Sequence, residues 1–240
     1  MQNLILGFAF VLIIILIKIG CKYVNDTNEL LKLPRANLSD IQFKTGDVLL
    51  FQNRDCSLRW ISHHVLYSFV FGTPITHIGV VIVVDGVPHI YECGMNRKNP
   101  QFDLLTGTYQ TDIKENSLTP LKENIEKYNG YVYHHPLKKS ISTADLNDDM
   151  FNYMKSMNNI KIKTSMRRII SVLFKIGSCD YDNDNETNCI ETCTQILKYM
   201  GIIDMNECTY KYDFCDIKKM LVNKYSKPQQ LLGKVVQNGI

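Results

Sequence analysis

The sequence predicts an α+β domain, a small antiparallel sheet packed against helices and carried behind an N-terminal membrane helix. Three stretches predict it. "HIGVVIVVDGVPHIYECG" sets two runs of strand formers on either side of Asp-Gly, a strong short-range hairpin signal. "CIETCTQILKYMGI" repeats apolar residues at helical spacing and stops at Gly201. The third, "LILGFAFVLIIILIKIG" at residues 4–20, is apolar apart from Lys18.

The apolar run Leu4–Ile17 is short for a span. With Gln2, Asn3 and a snorkelling Lys18 it approaches the roughly 17–25 residues a transmembrane helix needs. No Lys or Arg precedes it and no small-x-small cleavage site follows, so an uncleaved anchor over residues 1–22 is expected rather than a secretory signal. Lys18, Lys22, Lys32 and Arg35 follow the helix, which places the main domain on the cytoplasmic side by the positive-inside rule.

Behind the anchor, the polar residues 23–39 read as a tether, and the domain proper is expected over 40–225. "TGDVLLFQ" is a turn and a short buried strand, and "SLRWISHHVLYSFVFG" (57–72) has helical spacing ending in Gly72. "GYVYHHPL" (130–137) reads as a further strand, and 143–175 is helical in pattern. "SCDYDNDNETN" is a polar loop leading into the helix that opens at Cys189. The last residues, 226–240, read as a loose tail.

Composition narrows the function classes. Over 240 residues the chain is 45% apolar and 21% charged, ordinary for a globular protein. A formal net charge of +3 is too small to argue for nucleic acid, and no nucleic-acid motif is present. Eight cysteines at irregular spacing, with a cytoplasmic domain, point to mostly free thiols. There is no C-x-x-C pair, and C-x-x-x-C at 189–193 has no second pair at finger spacing, so no metal or other cofactor is expected.

Two residue types then stand out. His77 opens the first strand of the hairpin, a stiff mount for a base. Cys189 lies in the first turn of its helix, where unpaired amides favour the thiolate. If the two meet, a thiolate–imidazolium pair makes the sulfur a nucleophile at neutral pH. Glu92, on the returning strand, could orient the ring as the third member of a triad does, and His134 or His135 in "YVYHHP" could take that role instead. Each residue also has a plain reading: a strand-flanking His, a buried thiol, a solvated carboxylate.

The order "GDVLLF", "THIGVVI", a strand ending in "YE" and a helix opening "NCIET" resembles the NlpC-type papain-like cysteine hydrolases. Within them it is closest to the circularly permuted branch, where the His strand precedes the Cys helix. That branch includes YiiX-like proteins, a poxvirus family and the lecithin retinol acyltransferase group. The resemblance spans about residues 40–217 and rests on Gly46 and Asp47, on Thr76, His77 and Gly79, on Glu92, on Tyr181 and Asp182, and on Cys189 and Glu191.

The resemblance implies a permuted papain-like fold with Cys189, His77 and Glu92 as the catalytic residues. The substrate it implies is a peptide amide or a lipid acyl group. Ile190 departs from the small residue usual after the Cys, and Cys193 is a second candidate nucleophile one turn later. The expected protein is a membrane-anchored cysteine hydrolase, working through a thioester. The alternative is an inactive domain of the same fold, acting as a membrane-tethered binding or virion structural protein. Richness in Ile, Lys and Asn suggests an AT-rich genome, and with the poxvirus-type resemblance it suggests a large DNA virus, whose host or virion membrane would hold the anchor.

Overall fold

The computed structural model describes residues 2–53, 72–93, 100–103, 107–110, 116–139, 141, 146, 148–157, 161–162, 186–208 and 212–232. Among them the chain is a mixed α+β protein built on one large sheet. The helix expected over 57–72, most of the helical region after 157, and Tyr181 and Asp182 lie outside the described residues.

Helix α1 (Gln2–Leu31) leads into strand β1 (Arg35–Asn37). Strands β2 (Val48–Asn53), β3 (His77–Val84) and β4 (Val87–Cys93) follow, then β5 (Gln101–Asp103), β6 (Thr108–Gln110) and β7 (Asn116–Pro120). After helix α2 (Leu121–Lys127) come β8 (Gly130–His135), α3 (Asp148–Met157), β9 (Lys161–Ile162) and β10 (Glu186–Thr187). Helices α4 (Cys189–Tyr199) and α5 (Phe214–Lys224) and strand β11 (Gln229–Leu232) complete the described fold. The sheet order is β1-β11-β8-β2-β3-β4-β7-β5-β6, and β9 and β10 form a separate parallel pair. The large sheet is antiparallel except for β1 on β11, and it is larger than the small sheet expected.

The β3–β4 hairpin turns at Asp85 and Gly86, whose φ values of 51° and 78° are the left-handed pair a tight two-residue hairpin demands. Strand alternation then divides the side chains between two faces. One face carries Ile78, Val80 and Ile82 of β3, Val48 and Leu50 of β2 and Tyr91 of β4. It holds the larger core, closed by Ile190, Cys193, Ile196 and Leu197 of α4 and by residues of α3 and α5. Those three aliphatic side chains of α4 are at most 6% exposed, and burying each contributes about 1.5–3 kcal/mol. The opposite face carries Leu49, Phe51, Val81 and Ile90, closed by Leu121 and Ile125 of α2.

Two segments expected outside the domain are built into it. Residues 23–31 continue α1, and Leu30 is buried in the larger core rather than lying in a tether. Asp26 of α1 accepts from Thr73 and pairs with Lys218 of α5. β1 and β11, drawn from the expected tether and the expected loose tail, pair with each other, and β11 docks on β8. Their short runs give no periodicity of their own, and the sheet edge supplies the backbone partners that order them. Residues 233–240 lie outside the described set.

Among the described residues no helix is long and apolar enough to cross a membrane. The anchor expected over residues 1–22 rests largely on residues 1–9, 11 and 12, whose side chains lie outside the described residues. Along the described part of α1, Phe10 and Ile17 are 65% and 59% exposed.

Candidate active site

His77 is the first residue of β3, and Glu92 lies on β4. The register sets Gly79 opposite Glu92, so His77, two residues from Gly79, is a diagonal neighbour of Glu92 on the same face. His77 Nε2 lies 3.0 Å from Glu92 Oε2. Gly79 allows this close strand approach, because a Cβ there would stand 2.4 Å from Ile90 Cδ1.

Glu92 is wholly buried, and its second oxygen is also engaged. Asn124 of α2, itself 1% exposed, donates from Nδ2 to Glu92 Oε1 at 2.7 Å. A buried carboxylate without such donors would carry a large desolvation cost. Here His77 and Asn124 supply one donor to each oxygen. Asn124 was missed by sequence reasoning, since a polar residue in a short amphipathic helix gives no spacing signal. Its only cue was that it follows Leu121 and precedes Ile125 on a helix that must cover the sheet.

Cys189 comes from the other side of the sheet. It is the first residue of α4, which packs on β3 and β4. His77 stands at the strand's end, and there its ring also meets the Cys189 thiol. Burial alone would lower the His77 pKa. Hydrogen bonds with Cys189 and Glu92, and the charge of each, outweigh it and push the ring up to about 9. With Nε2 turned to Glu92, Nδ1 is the nitrogen left for the sulfur. At neutral pH the ring is therefore the imidazolium, donating from Nε2 to the carboxylate and from Nδ1 to the sulfur.

The helix start is well capped. Asn188 holds extended backbone angles, and its side chain accepts from the Glu191 amide at 3.0 Å. The Thr192 amide donates to the Asn188 carbonyl. The amides of Cys189 and Ile190 belong to the first turn, where a helix offers no intrahelical acceptor.

The other predicted residues fall elsewhere. Cys193 is fully buried; its Sγ donates to the Ile78 carbonyl at 3.5 Å, and burial pushes its thiol well above the ordinary value. Cys93 is a buried thiol, in no disulfide, on the face opposite Glu92. Glu191 is buried in the first turn of α4. Gly46 holds φ +90°, and a Cβ there would meet Leu137 Cδ2 at 2.8 Å. Asp47 is 1% exposed and accepts from three donors: the Lys44 amide at 3.0 Å, the Leu137 amide at 2.8 Å and His134 Nε2 at 2.8 Å. His134 is thus committed to Asp47 and not to His77. His135 lies beside it at the end of β8, which pairs with Val48, while His77 pairs with Phe51 at the other end of β2.

Among the described residues no group of three or more His, Cys, Asp or Glu side chains is placed to hold a metal ion. Cys21, Cys93, Cys189, Cys193 and Cys215 are in no disulfide, whereas Cys208 is disulfide-bonded.

No family model matches the chain, and no curated protein matches it. Among solved structures five chains match. One is the crystal structure of the metalloprotein YiiX from Escherichia coli O157:H7, of the family DUF1105. It is 11% identical over 81% of this chain and 91% of that chain, with a TM-score of 0.34.

Proposed function

We propose that this chain is a cysteine hydrolase of the permuted papain-like type, acting on an amide or ester through a thioester on Cys189. The observation that carries the reading is the buried His77 ring, held between the Glu92 carboxylate and the Cys189 thiol. The Cys189 Sγ proton rests on His77 Nδ1 as a thiolate–imidazolium pair, and the thiolate attacks the substrate carbonyl carbon. The resulting oxyanion sits at the start of α4, where the first-turn amides of Cys189 and Ile190 point. The His77 imidazolium returns its proton to the leaving nitrogen or oxygen as the C–N or C–O bond breaks. Water, giving its proton to His77, then cleaves the thioester and restores the thiolate–imidazolium pair. Glu92 stabilises the imidazolium, and Asn124 holds Glu92 in place.

The proposal extends to a membrane setting, with residues 1–22 as the anchor. The exposed apolar side chains along α1 support it. A substrate that is membrane-associated, a peptide amide or a lipid acyl group, follows from that setting.

The test is the pH dependence of Cys189 alkylation by iodoacetamide on the full chain, with and without His77→Ala. Selective labelling of Cys189 at neutral pH, well below the free thiol pKa of about 8.5 and lost in His77→Ala, is the expected result. Labelling no faster than at Cys21 or Cys215 would overturn the hydrolase reading and leave a membrane-tethered binding domain.

A further inference from the structure

A cavity of about 410 Å³ lies at the opposite end of the sheet from His77, where α1, β8 and α5 converge. Its size falls within the range of small-molecule sites, roughly 300–1,000 Å³. Leu30 near the end of α1, Leu33 just after it, Leu221 from α5 and Tyr225 supply an apolar wall. Lys138, Lys218 and Lys227 stand at its polar side, one after β8, one on α5 and one before β11. Glu29 also lines the cavity, and Lys218 is ion-paired with Asp26 of α1. Three ammonium groups against two carboxylates leave one positive charge.

His135 also lines the cavity and is 7% exposed. Among the described residues its buried Nε2 has no hydrogen-bond partner, an arrangement that costs free energy in an empty site. Burial, then the neighbouring His134 and Lys218, push its pKa down to about 3, so the ring is neutral and carries one N–H. A neutral donor beside an apolar wall, with one surplus positive charge at the rim, suits a single negative charge carried on an apolar body.

We propose that this cavity binds a small monoanionic amphiphile, a carboxylate on an aliphatic or aromatic body, with His135 and the lysines holding the head and Leu30, Leu33 and Leu221 the body. The site is formed only where α1 docks on the domain, so its ligand would tie the N-terminal helix to α5 and β8.

The experiment titrates the full chain, held in amphipol, with octanoate, octanol and inorganic phosphate, reading heat and the His135 ring resonances. Octanoate is expected to saturate and shift the His135 signals, octanol to bind at least about tenfold more weakly, and phosphate alone not to bind. Lys227→Glu, an exposed change that leaves the core intact, is expected to weaken octanoate about tenfold, and His135→Phe likewise. Equal binding of octanol and octanoate, binding of phosphate alone as tight as octanoate, or octanoate binding untouched by Lys227→Glu would each overturn the proposal. Cys189 alkylation is expected to stay unchanged throughout, which separates this site from the hydrolase reading.

Discussion

His77 and Glu92 face each other diagonally across the β3–β4 ladder, with Nε2 and Oε2 3.0 Å apart and both side chains out of water. The pair is fixed by backbone register rather than by flexible loops. That fixes the ring nitrogen left for the thiol as well. The hairpin thereby fixes the ring that meets the Cys189 thiol.

Glu92→Gln keeps the size and one hydrogen bond but removes the charge. The His77 ring, now at about 9, is expected to titrate closer to its ordinary 6.5. The raised pKa stabilises the fold in full below about pH 6.5, and that contribution is lost as pH rises through about 9. The wild type should therefore lose stability relative to Glu92→Gln as pH rises across that window. Histidine NMR gives the midpoint, and urea midpoints at several pH values give the slope. An unchanged His77 midpoint would show that Glu92 does not govern the ring.

Asn124→Leu removes the donor to Glu92 Oε1 while keeping an apolar-sized side chain against the sheet. Losing a hydrogen bond to a charged group costs about 1.5–3 kcal/mol. The expected results are a lower urea midpoint, a His77 midpoint below that of the wild type and slower alkylation of Cys189 at pH 7. Stability loss with the His77 midpoint and alkylation unchanged would make Asn124 a packing residue only.

The β3–β4 hairpin and α4 were legible because each carries its own signal: Asp85-Gly86 for the turn, apolar spacing and Gly201 for the helix. The placement of His77 and Glu92 on one strand face and of Cys189 at a helix start was legible for the same reason, since strand alternation and helix caps are local signals. The Asp47–His134 pair joins residues far apart in sequence and had no local cue. Asn124 and the edge strands β1 and β11 were equally silent, because their order comes from partners that only the folded sheet supplies.

Cys193→Ala separates the two candidate nucleophiles. The Cys193 thiol is buried against the Ile78 carbonyl, and burial holds it protonated. Removing it should cost about 1 kcal/mol of stability, the ordinary size for a small core change. Alkylation at pH 7 should continue at Cys189 at a rate within about twofold of the wild type. Peptide mapping of the labelled protein reads the site directly. Loss of labelling on Cys193→Ala, with Cys189 intact, would move the nucleophile one turn into the helix.

Asp47→Asn tests whether the carboxylate in the Gly46-Asp47 turn is structural. Three donors converge on Asp47: two backbone amides and His134 Nε2. Gln229 Nε2 lies 3.1 Å from His134 Nδ1, so that nitrogen accepts and the ring proton sits on Nε2, facing the carboxylate. An Asn side chain has one acceptor oxygen and one amide that donates. Whichever way it turns, its N–H₂ confronts a backbone N–H, that of Leu137 on one side or of Lys44 on the other. The expected loss is about 1.5–3 kcal/mol, the size of losing a buried hydrogen bond to a charged group, read as a drop in the urea midpoint. Because β2 separates this pair from Phe51 and His77 at its other end, Cys189 alkylation under native conditions should be unchanged. A small stability loss with alkylation abolished would place Asp47 in the reactive machinery instead.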